Sequence, residues 1–537
     1  MKLISVAAMK ALEQAANDKG LSYEQMMLNA GNGLARLVFA EYSTSGQPLN
    51  ILGLVGSGNN GGDTLIALIS LQKRGWQTYA IIHKKSELIS QLQKEFEEIG
   101  GIVTTGEQIM NIPQIDLVLD GFLGTGGKPP LKNDLILLLR EIKNSLAQYP
   151  IQPKIIAVDC PSGVDCDSGD IPEETLRADL TVCMGAVKQG LVKFPALGVC
   201  GEFGIVDFGL DQVIPEWSDG LIDVIDNEVV KSMMPVRPIY GHKGSFGKVL
   251  VIGGSANFMG APILAAHSAG RVGTGLVTAA TIERVQQNMA SIVPEITWDL
   301  LAEYDGMIDP TAAEHIGDKI SDYAVILVGP GMGHDARMSK LLTSLLAPQA
   351  SRANPAMGFS TTVTKPGEKN KTIQIPLVID ADGLRILADI SNWTSLITPG
   401  NVLTPHPGEM AALTDLPVEE IQKDRVAVCQ KYAQKWQQIV VLKGAGTVVA
   451  SPTGEIAILP IATTALAHAG SGDVLAGMIA GLIAQKLDGY KAACAAVYLH
   501  ARAGLLAAAL VGSPASVLPV DISNQIGRAI NSVIKYQ

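Results

Sequence analysis

Again and again along this chain, a short apolar run ends in a loop bearing glycine or aspartate, and a stretch of helical length follows. "NILGLV" runs into "GSGNNGGD" and then "TLIALISLQKRG"; "KVLVIGG" precedes "GAPILAAHSAGRVG". Apolar runs without alternation read as strands buried on both faces, and strands alternating with helices build a mostly parallel, doubly covered sheet. The same rhythm places strands at "QTYAIIH", "IDLVLDGF", "KIIAVDC", "DLTVCMG" and "EFGIVDFG". It resumes with "GLVTAAT", "YAVILVGPG", "IPLVIDADG", "NVLTPHPGE" and "IVVLKGAG". Helices are expected within residues 5–40 and, rich in alanine, from Val474 to Lys535.

A single core stops growing at about 250–300 residues, and the chain has 537. Two α/β domains are therefore expected, 1–218 and 219–537, joined through "LDQVIPEWSDG" at 210–220. Residues 349–376 are rich in Ser, Thr, Lys and Pro without apolar period and read as a surface insertion. The net charge of −11, with no stripe of Lys and Arg, speaks against a nucleic-acid partner. Six cysteines without a C-x-x-C pair suit a reducing compartment. Residues 1–20 carry Glu13 and Asp18 and lack the apolar core of a signal peptide. The longest apolar stretches, such as Val474 to Ala484, fall short of the roughly 18–20 residues a membrane span needs. A cytoplasmic protein with no membrane partner is expected, as a homo-oligomer.

Gly56-Ser57-Gly58-Asn59-Asn60-Gly61 matches G-x-G-x-x-G between a strand and a helix. A dinucleotide fingerprint also wants an acidic residue closing the next strand. His83, Lys84 and Lys85 stand there, and Glu87 only beyond. Asp63 suits a helix cap, and the free N–H groups suit a phosphate. Asp120 and Asp159 close two further strands, with Ser162 nearby. Ligands bind outside the carboxyl ends of such strands, so Asn60, Asp120, Asp159 and Ser162 are expected to converge, an oxygen-rich set that suits a hard cation.

"VGSGNNGGDTL", "DGFLGTG", "VDCPSGVDCDSG" and "ADLTVCMGAVKQGL" resemble the NAD(P)H-hydrate epimerase family, the YjeF N-terminal domain, over about residues 5–210. The resemblance implies a Rossmann-like three-layer sandwich. It implies potassium held by Asn60, Asp120 and Ser162. It implies substrate contact by Asn59, Asn60, Gly61, Gly62 and Asp63, by Gly124, Thr125, Gly126, Gly127, Lys128, Pro129 and Pro130, and by Asp159, which would be the acid/base. Two departures stand out: Thr64 replaces the family's usual glycine, and Gly127 to Pro130 replace a stretch that usually contains Arg.

In the second half, Gly470-Ser471-Gly472 runs into Asp473 and an apolar helix. The free N–H groups of a helix N-terminus form an anion site. Asp473 there can take a hydroxyl proton or serve only as a cap. "VLKGAGT" offers Lys443 and a glycine turn to a nucleotide. "LTPHPGE" holds His406 between prolines, and Asp380 and Asp382 can hold magnesium through water.

With "KGSFGKVLVIGGSANFMGAP", "GPGMG", "VIDADG" and "AGSGDVLAG", these motifs resemble the ADP-dependent NAD(P)H-hydrate dehydratases, the YjeF C-terminal domain, in the ribokinase-like superfamily, over about residues 225–535. The resemblance implies that Ala261, Gly331, His406 and Asp473 contact hydrated nicotinamide. It implies that Lys443, Gly444, Ala445, Gly446, Thr447 and Gly472 hold ADP, with ATP as the alternative, and that Asp473 is catalytic. Ser471 stands where the family often has threonine. The expected function is repair of hydrated NADH and NADPH: epimerisation of the R and S hydrates, and dehydration of the S hydrate with release of phosphate and AMP. The competing reading is a ribokinase-like kinase for a small alcohol, with a non-catalytic N-terminal binding module.

Overall fold

The computed structural model describes residues 1–43, 47–346 and 375–534. The expected insertion falls, from 349 to 374, outside the described residues. The chain divides into two compact units, Met1–Val224 and Ile225–Gln537.

The first unit contains β1 (Lys2–Ile4), α1 (Val6–Asp18), α2 (Tyr23–Tyr42), β2 (Asn50–Val55), α3 (Asn59–Gln72), β3 (Gln77–Ile82), α4 (Glu87–Glu98), β4 (Ile102–Thr104), β5 (Leu117–Gly121), α5 (Asn133–Leu146), β6 (Lys154–Val158), β7 (Leu180–Met184), β8 (Val187–Lys188), β9 (Glu202–Val206) and β10 (Ile222–Val224). Seven strands form a parallel sheet in the order β4-β3-β2-β5-β6-β7-β9. Strand period sorts the core into two layers. Ile51 and Val55 of β2, with Leu117 and Leu119 of β5, pack with α2 and α3 residues such as Leu34 and Leu68. Leu52 and Leu54, with Val118, pack instead with Leu135, Leu139 and Ile142 of α5. Both faces are thus covered, the three-layer arrangement the apolar runs imply. β1 pairs with β8 on one side and β10 on the other; the pairing of Leu3 with Ile222 holds residues 222–224 in this unit, beyond position 218.

The second unit contains β11 (Lys248–Ile252), α6 (Gly260–Arg271), β12 (Leu276–Ile282), β13 (Thr297–Leu301), a ribbon of β14 (Glu303–Tyr304) and β15 (Met307–Ile308), β16 (Val325–Val328), β17 (Leu377–Ile379), α7 (Asp382–Ala388), β18 (Val402–Leu403), α8 (Pro407–Thr414), α9 (Arg425–Trp436), β19 (Ile439–Leu442), β20 (Val448–Ala450), β21 (Ile456–Ile458), α10 (Ser471–Ala484), α11 (Gly489–Val511) and α12 (Pro519–Val533). Its sheet runs β13-β12-β11-β16-β17-β18-β19-β20-β21. The strands from β13 through β19 are parallel, and β20 and β21 are antiparallel additions. The central strand β16 is buried at every position, as both-face coverage requires.

One sequence expectation is corrected here. Among the described residues one helix, α11, is long and apolar enough to cross a membrane by length and composition. Alanine is the reason: a face of Ala492, Ala493, Ala495 and Ala496 packs fully into the interior, and 61% of the apolar window is buried. Both α10 and α11 are core helices, so their hydropathy reflects burial on several sides.

Candidate active sites

In the first sheet the chain leaves β2 toward β3 and β4, then returns to β5 on the other side of β2. The loops after β2 and β5 therefore diverge at a topological switch point, where open α/β sheets bind ligands. They press together: a Cβ on Gly56 would meet Phe122 O at 1.9 Å, which explains the glycine. A cavity of about 430 Å³ opens there, lined by Ser57 to Asn60, Asp63, Phe122 to Gly127, Asp159 and, from the helices, Lys10, Glu13 and Tyr23 among others.

Asn60, Asp120 and Ser162 gather around the Leu123 peptide. Asn60 Nδ2 donates to Leu123 O at 3.0 Å, and Leu123 N donates to Ser162 Oγ at 3.0 Å. Asp120 accepts from Ser162 Oγ at 2.6 Å and from Ser162 N at 2.9 Å. Burial raises the Asp120 pKa despite these bonds. Among the described residues no side-chain cation pairs with Asp120, and oxygen atoms of this kind are what a hard cation takes.

Asp159 sits just past β6 in left-handed backbone, φ 65°. For a non-glycine residue this conformation is costly and is typically kept where function needs it. Its N–H bonds Val182 O at 2.8 Å. Its carboxylate accepts from Met184 N at 3.0 Å and from Lys188 Nζ, an ion pair in which Lys188 is 1% exposed. Burial alone would depress Lys188, but Asp159 opposes it and raises its pKa. Asp63 is pushed well up by burial, then by Asp159 and Glu13.

The remaining expected contacts divide. Asn59, Gly124, Thr125, Gly126 and Gly127 line the cavity. Lys128, Pro129 and Pro130 do not, and Lys128 pairs instead with Asp165 at 3.2 Å. Gly61 and Gly62 lie behind the lining: a Cβ on Gly61 would meet Gly56 O at 2.0 Å, and on Gly62 would meet Met27 Sδ at 2.7 Å. Sequence alone assigns neither Lys188 nor Glu13 a site role, although "AVKQGL" contains the lysine.

The second sheet repeats the logic. Its switch point lies between β11 and β16, where Gly254 N donates to Pro330 O at 2.9 Å. Gly331 has φ 66°, and a Cβ there would stand 2.5 Å from Phe258 O and 3.1 Å from Ala261 Cβ, so Ala261 and Gly331 do meet. Beyond β17, Asp380 is almost wholly buried; its Oδ1 accepts from Lys443 Nζ at 2.5 Å and from Thr404 Oγ1 at 2.7 Å. Its Oδ2 is buried without a hydrogen-bond partner. Glu409 Oε2 lies 3.7 Å from Lys443 Nζ, and burial raises the Glu409 pKa to about 7. Asp382 accepts from Gly333 N at 2.9 Å.

Helix α10 begins after Gly470, a left-handed residue giving no side-chain cap. Ser471 N donates to His468 O at 3.2 Å, and among the described residues the N–H groups of Gly472 and Asp473 have no acceptor and are open to an anion. Asp473 lies in that first turn, and burial, then Asp380, raises its pKa to about 8. Gly472 brings the helix close to Lys443: a Cβ there would stand 3.3 Å from Nζ. Lys443 continues into Gly444, φ 139°, and Gly446, φ 65°, a turn closed by Thr447 Oγ1 donating to Gly444 O at 2.7 Å. Arg425 braces it through Leu442 O and Lys443 O at 2.7 and 3.1 Å.

His406 caps α8: its Nδ1 accepts from Gly408 N and Glu409 N at 3.0 and 3.2 Å, while Glu409 Oε2 accepts from His406 N at 2.8 Å. Burial, then Lys443, lowers its pKa. Glu409, present in "LTPHPGE", escaped the sequence reading because a helix-cap glutamate and a site glutamate look alike. Among the described residues no cluster of three or more His, Cys, Asp or Glu forms a metal cage.

Comparison with known proteins matches the chain in two parts. A family model described as YjeF-related protein N-terminus matches residues 23–190, and one described as NAD(P)H-hydrate dehydratase matches 249–528. The bifunctional NAD(P)H-hydrate repair enzyme Nnr of Moorella thermoacetica is 33% identical, covering 94% of this chain and 92% of its own length. Its counterpart from Thermofilum pendens is 31% identical over 99% of this chain and 97% of its own. A solved ADP/ATP-dependent NAD(P)H-hydrate dehydratase from Bacillus subtilis, co-crystallised with ATP/Mg2+, is 27% identical, covers 58% of this chain and 99% of that one, and has a TM-score of 0.46. The chain belongs to the family of bifunctional NAD(P)H-hydrate repair enzymes.

Proposed function

We propose that the chain restores hydrated NADH and NADPH, its first unit interconverting the two hydrate epimers and its second dehydrating the S epimer at the expense of ADP. The observation that carries this reading is the second site: a carboxylate with a pKa of about 8 stands in the first turn of an uncapped helix, beside a lysine paired with the buried Asp380. Asp473 takes the proton of the ring hydroxyl as that oxygen attacks the terminal phosphorus of ADP, and AMP leaves. The N–H groups of α10 and the Lys443 ammonium offset the charge of the transferring phosphoryl group. The ring nitrogen's lone pair then expels phosphate, loss of a proton from the neighbouring ring carbon restores the double bond, and reduced nicotinamide is regenerated. Phosphorylation is needed because hydroxide is a poor leaving group.

The turn from Lys443 to Thr447 and Gly472 hold the nucleotide, while Ala261, Gly331 and His406 bound the nicotinamide side. Magnesium fits as a water-clad ion carried on the nucleotide phosphates; the orphaned Asp380 Oδ2, with Asp382, would accept from its waters. Bound there, it would supply charge neutralisation to the phosphoryl group. In the first unit Asn60, Asp120 and Ser162 would hold potassium, which would offset the buried Asp120 charge. Asp159, oriented by Lys188, works at the hydroxylated ring carbon. A cytoplasmic setting is supported by six free cysteines, all buried.

Product analysis tests the reading. Purified chain, ADP, magnesium and NADH hydrate should yield free phosphate, AMP and NADH in equal amounts. A stable phosphorylated product with no NADH would instead support the small-alcohol kinase.

A further inference from the structure

The hydroxylated ring carbon epimerises by the simplest C–O route when its hydroxyl leaves from one face and water returns on the other, a route that uses acid–base groups on both faces. Asp159 is one such group, tied to Lys188 and to the Met184 N–H. The first helix brings another carboxyl to the same cavity. Strand β1 pairs with β8, Ile4 opposite Lys188. Ser5 then caps α1, and Val6 N donates to Asp167 Oδ1 at 3.0 Å, pinning the helix start to the loop after Asp159. Met9 and Ala16 bury one face of α1. Lys10 and Glu13, one turn apart, line the cavity. Glu13 has no hydrogen bond or ion pair to any described residue. Residues 1–22 precede the region matched by the N-terminal family model.

We propose that Glu13 is a second acid–base residue of the epimerase site, working opposite the Asp159–Lys188 pair. The proposal rests on the epimerase reading above. Glu13 in its acid form gives a proton to the ring hydroxyl. The C–O bond breaks as the ring nitrogen's lone pair forms a planar iminium, and water departs. A water on the other face adds to that carbon, giving its proton to Asp159. Glu13 has lost one proton and Asp159 has gained one, which is the protonation state that serves the other epimer; exchange with solvent also resets it. Two carboxyls held apart in environment suit this division. Burial raises the Glu13 pKa, with Lys188 opposing and Asp159 adding, and Lys10 and Asp63 are the other charged groups facing it.

The test uses the full-length chain with ADP, magnesium, potassium and both NADH-hydrate epimers in water enriched in 18O. Wild type should consume both epimers and place 18O in the hydrate faster than the uncatalysed reaction does. Glu13→Gln should keep the burst from the S epimer, lose epimerisation by about 100-fold or more in kcat with little change in KM, and lose the isotope exchange. Glu13→Asp should regain part of both, and unchanged dehydratase activity with an unchanged melting curve confirms folding. Epimerisation by Glu13→Gln within about threefold of wild type, or epimerisation by wild type without 18O entry, overturns the proposal and leaves the epimerase reading standing. A wild-type chain that never consumes the R epimer removes the reading and the proposal together.

Discussion

Lys443 Nζ lies 2.5 Å from Asp380 Oδ1, and the two charged groups meet almost entirely out of water, Asp380 at 1% and Lys443 at 16% side-chain exposure. Removing one partner from such a pair is strongly destabilising because it strands the other charge. Lys443→Met should lower stability by about 3–5 kcal/mol, measured by urea denaturation of the whole chain with the second unit's transition followed. Lys443→Met with Asp380→Asn should recover much of that loss. Both variants should lack dehydratase activity.

Asp473 trades stability for chemistry. Its carboxyl is raised to about 8 in the folded chain from the ordinary aspartate value of 3.8. The folded state therefore holds a proton that the unfolded state has released between these values, and stability falls as pH rises through that window, up to about pH 8. Asp473→Asn removes this penalty. It should raise stability at pH 7 by up to about 4 kcal/mol, seen as a higher melting temperature whose excess over wild type vanishes near pH 4. The same variant should lose dehydration by about 100-fold or more.

His500 runs the other way. It is buried in α11, shares a hydrogen bond of 3.1 Å with Ser471 at the start of α10, and has its pKa lowered by burial to about 4 from 6.5. The unfolded state binds the proton first as pH falls, so the stability His500 contributes is complete above pH 6.5 and is lost between pH 6.5 and 4. The loss over that window is on the order of 3 kcal/mol. A His500→Gln variant should show a flatter melting temperature across it.

Much of both sites was legible in sequence because strand ends carry it. Asp120, Asp159, Asp380 and Lys443 each close a short apolar run, and the parallel strands of each unit gather that unit's own strand ends. Gly472 and Asp473 announce themselves by opening an apolar helix. What escaped came from elsewhere. Glu13 lies on an ordinary amphipathic helix and Lys188 on a two-residue strand, and only tertiary pairing brings Lys188 onto Asp159 and Glu13 into the same cavity. Strand β13, "TWDLL", was missed because Asp299 interrupts its apolar run; at the sheet edge that aspartate pairs with His315 and Lys319. Glu409 hid behind its capping geometry.

In the first unit, Lys188→Met should remove the group that holds Asp159. Epimerisation should fall by about 100-fold or more, while dehydration of the S epimer stays at the wild-type rate. A fall in both rates would mean that the substitution acts through the whole chain.

The central claim is that one chain performs both steps. The direct measurement gives a mixture of both NADH-hydrate epimers to the wild-type chain with magnesium, potassium and ADP, and to Asp159→Asn in parallel, following the return of reduced-nicotinamide absorbance. Wild type should recover both epimers completely, and Asp159→Asn should stop after the S epimer, continuing only at the uncatalysed rate. Wild-type recovery that halts at the S epimer would contradict the two-activity account, and no recovery with either ADP or ATP would contradict the dehydratase itself.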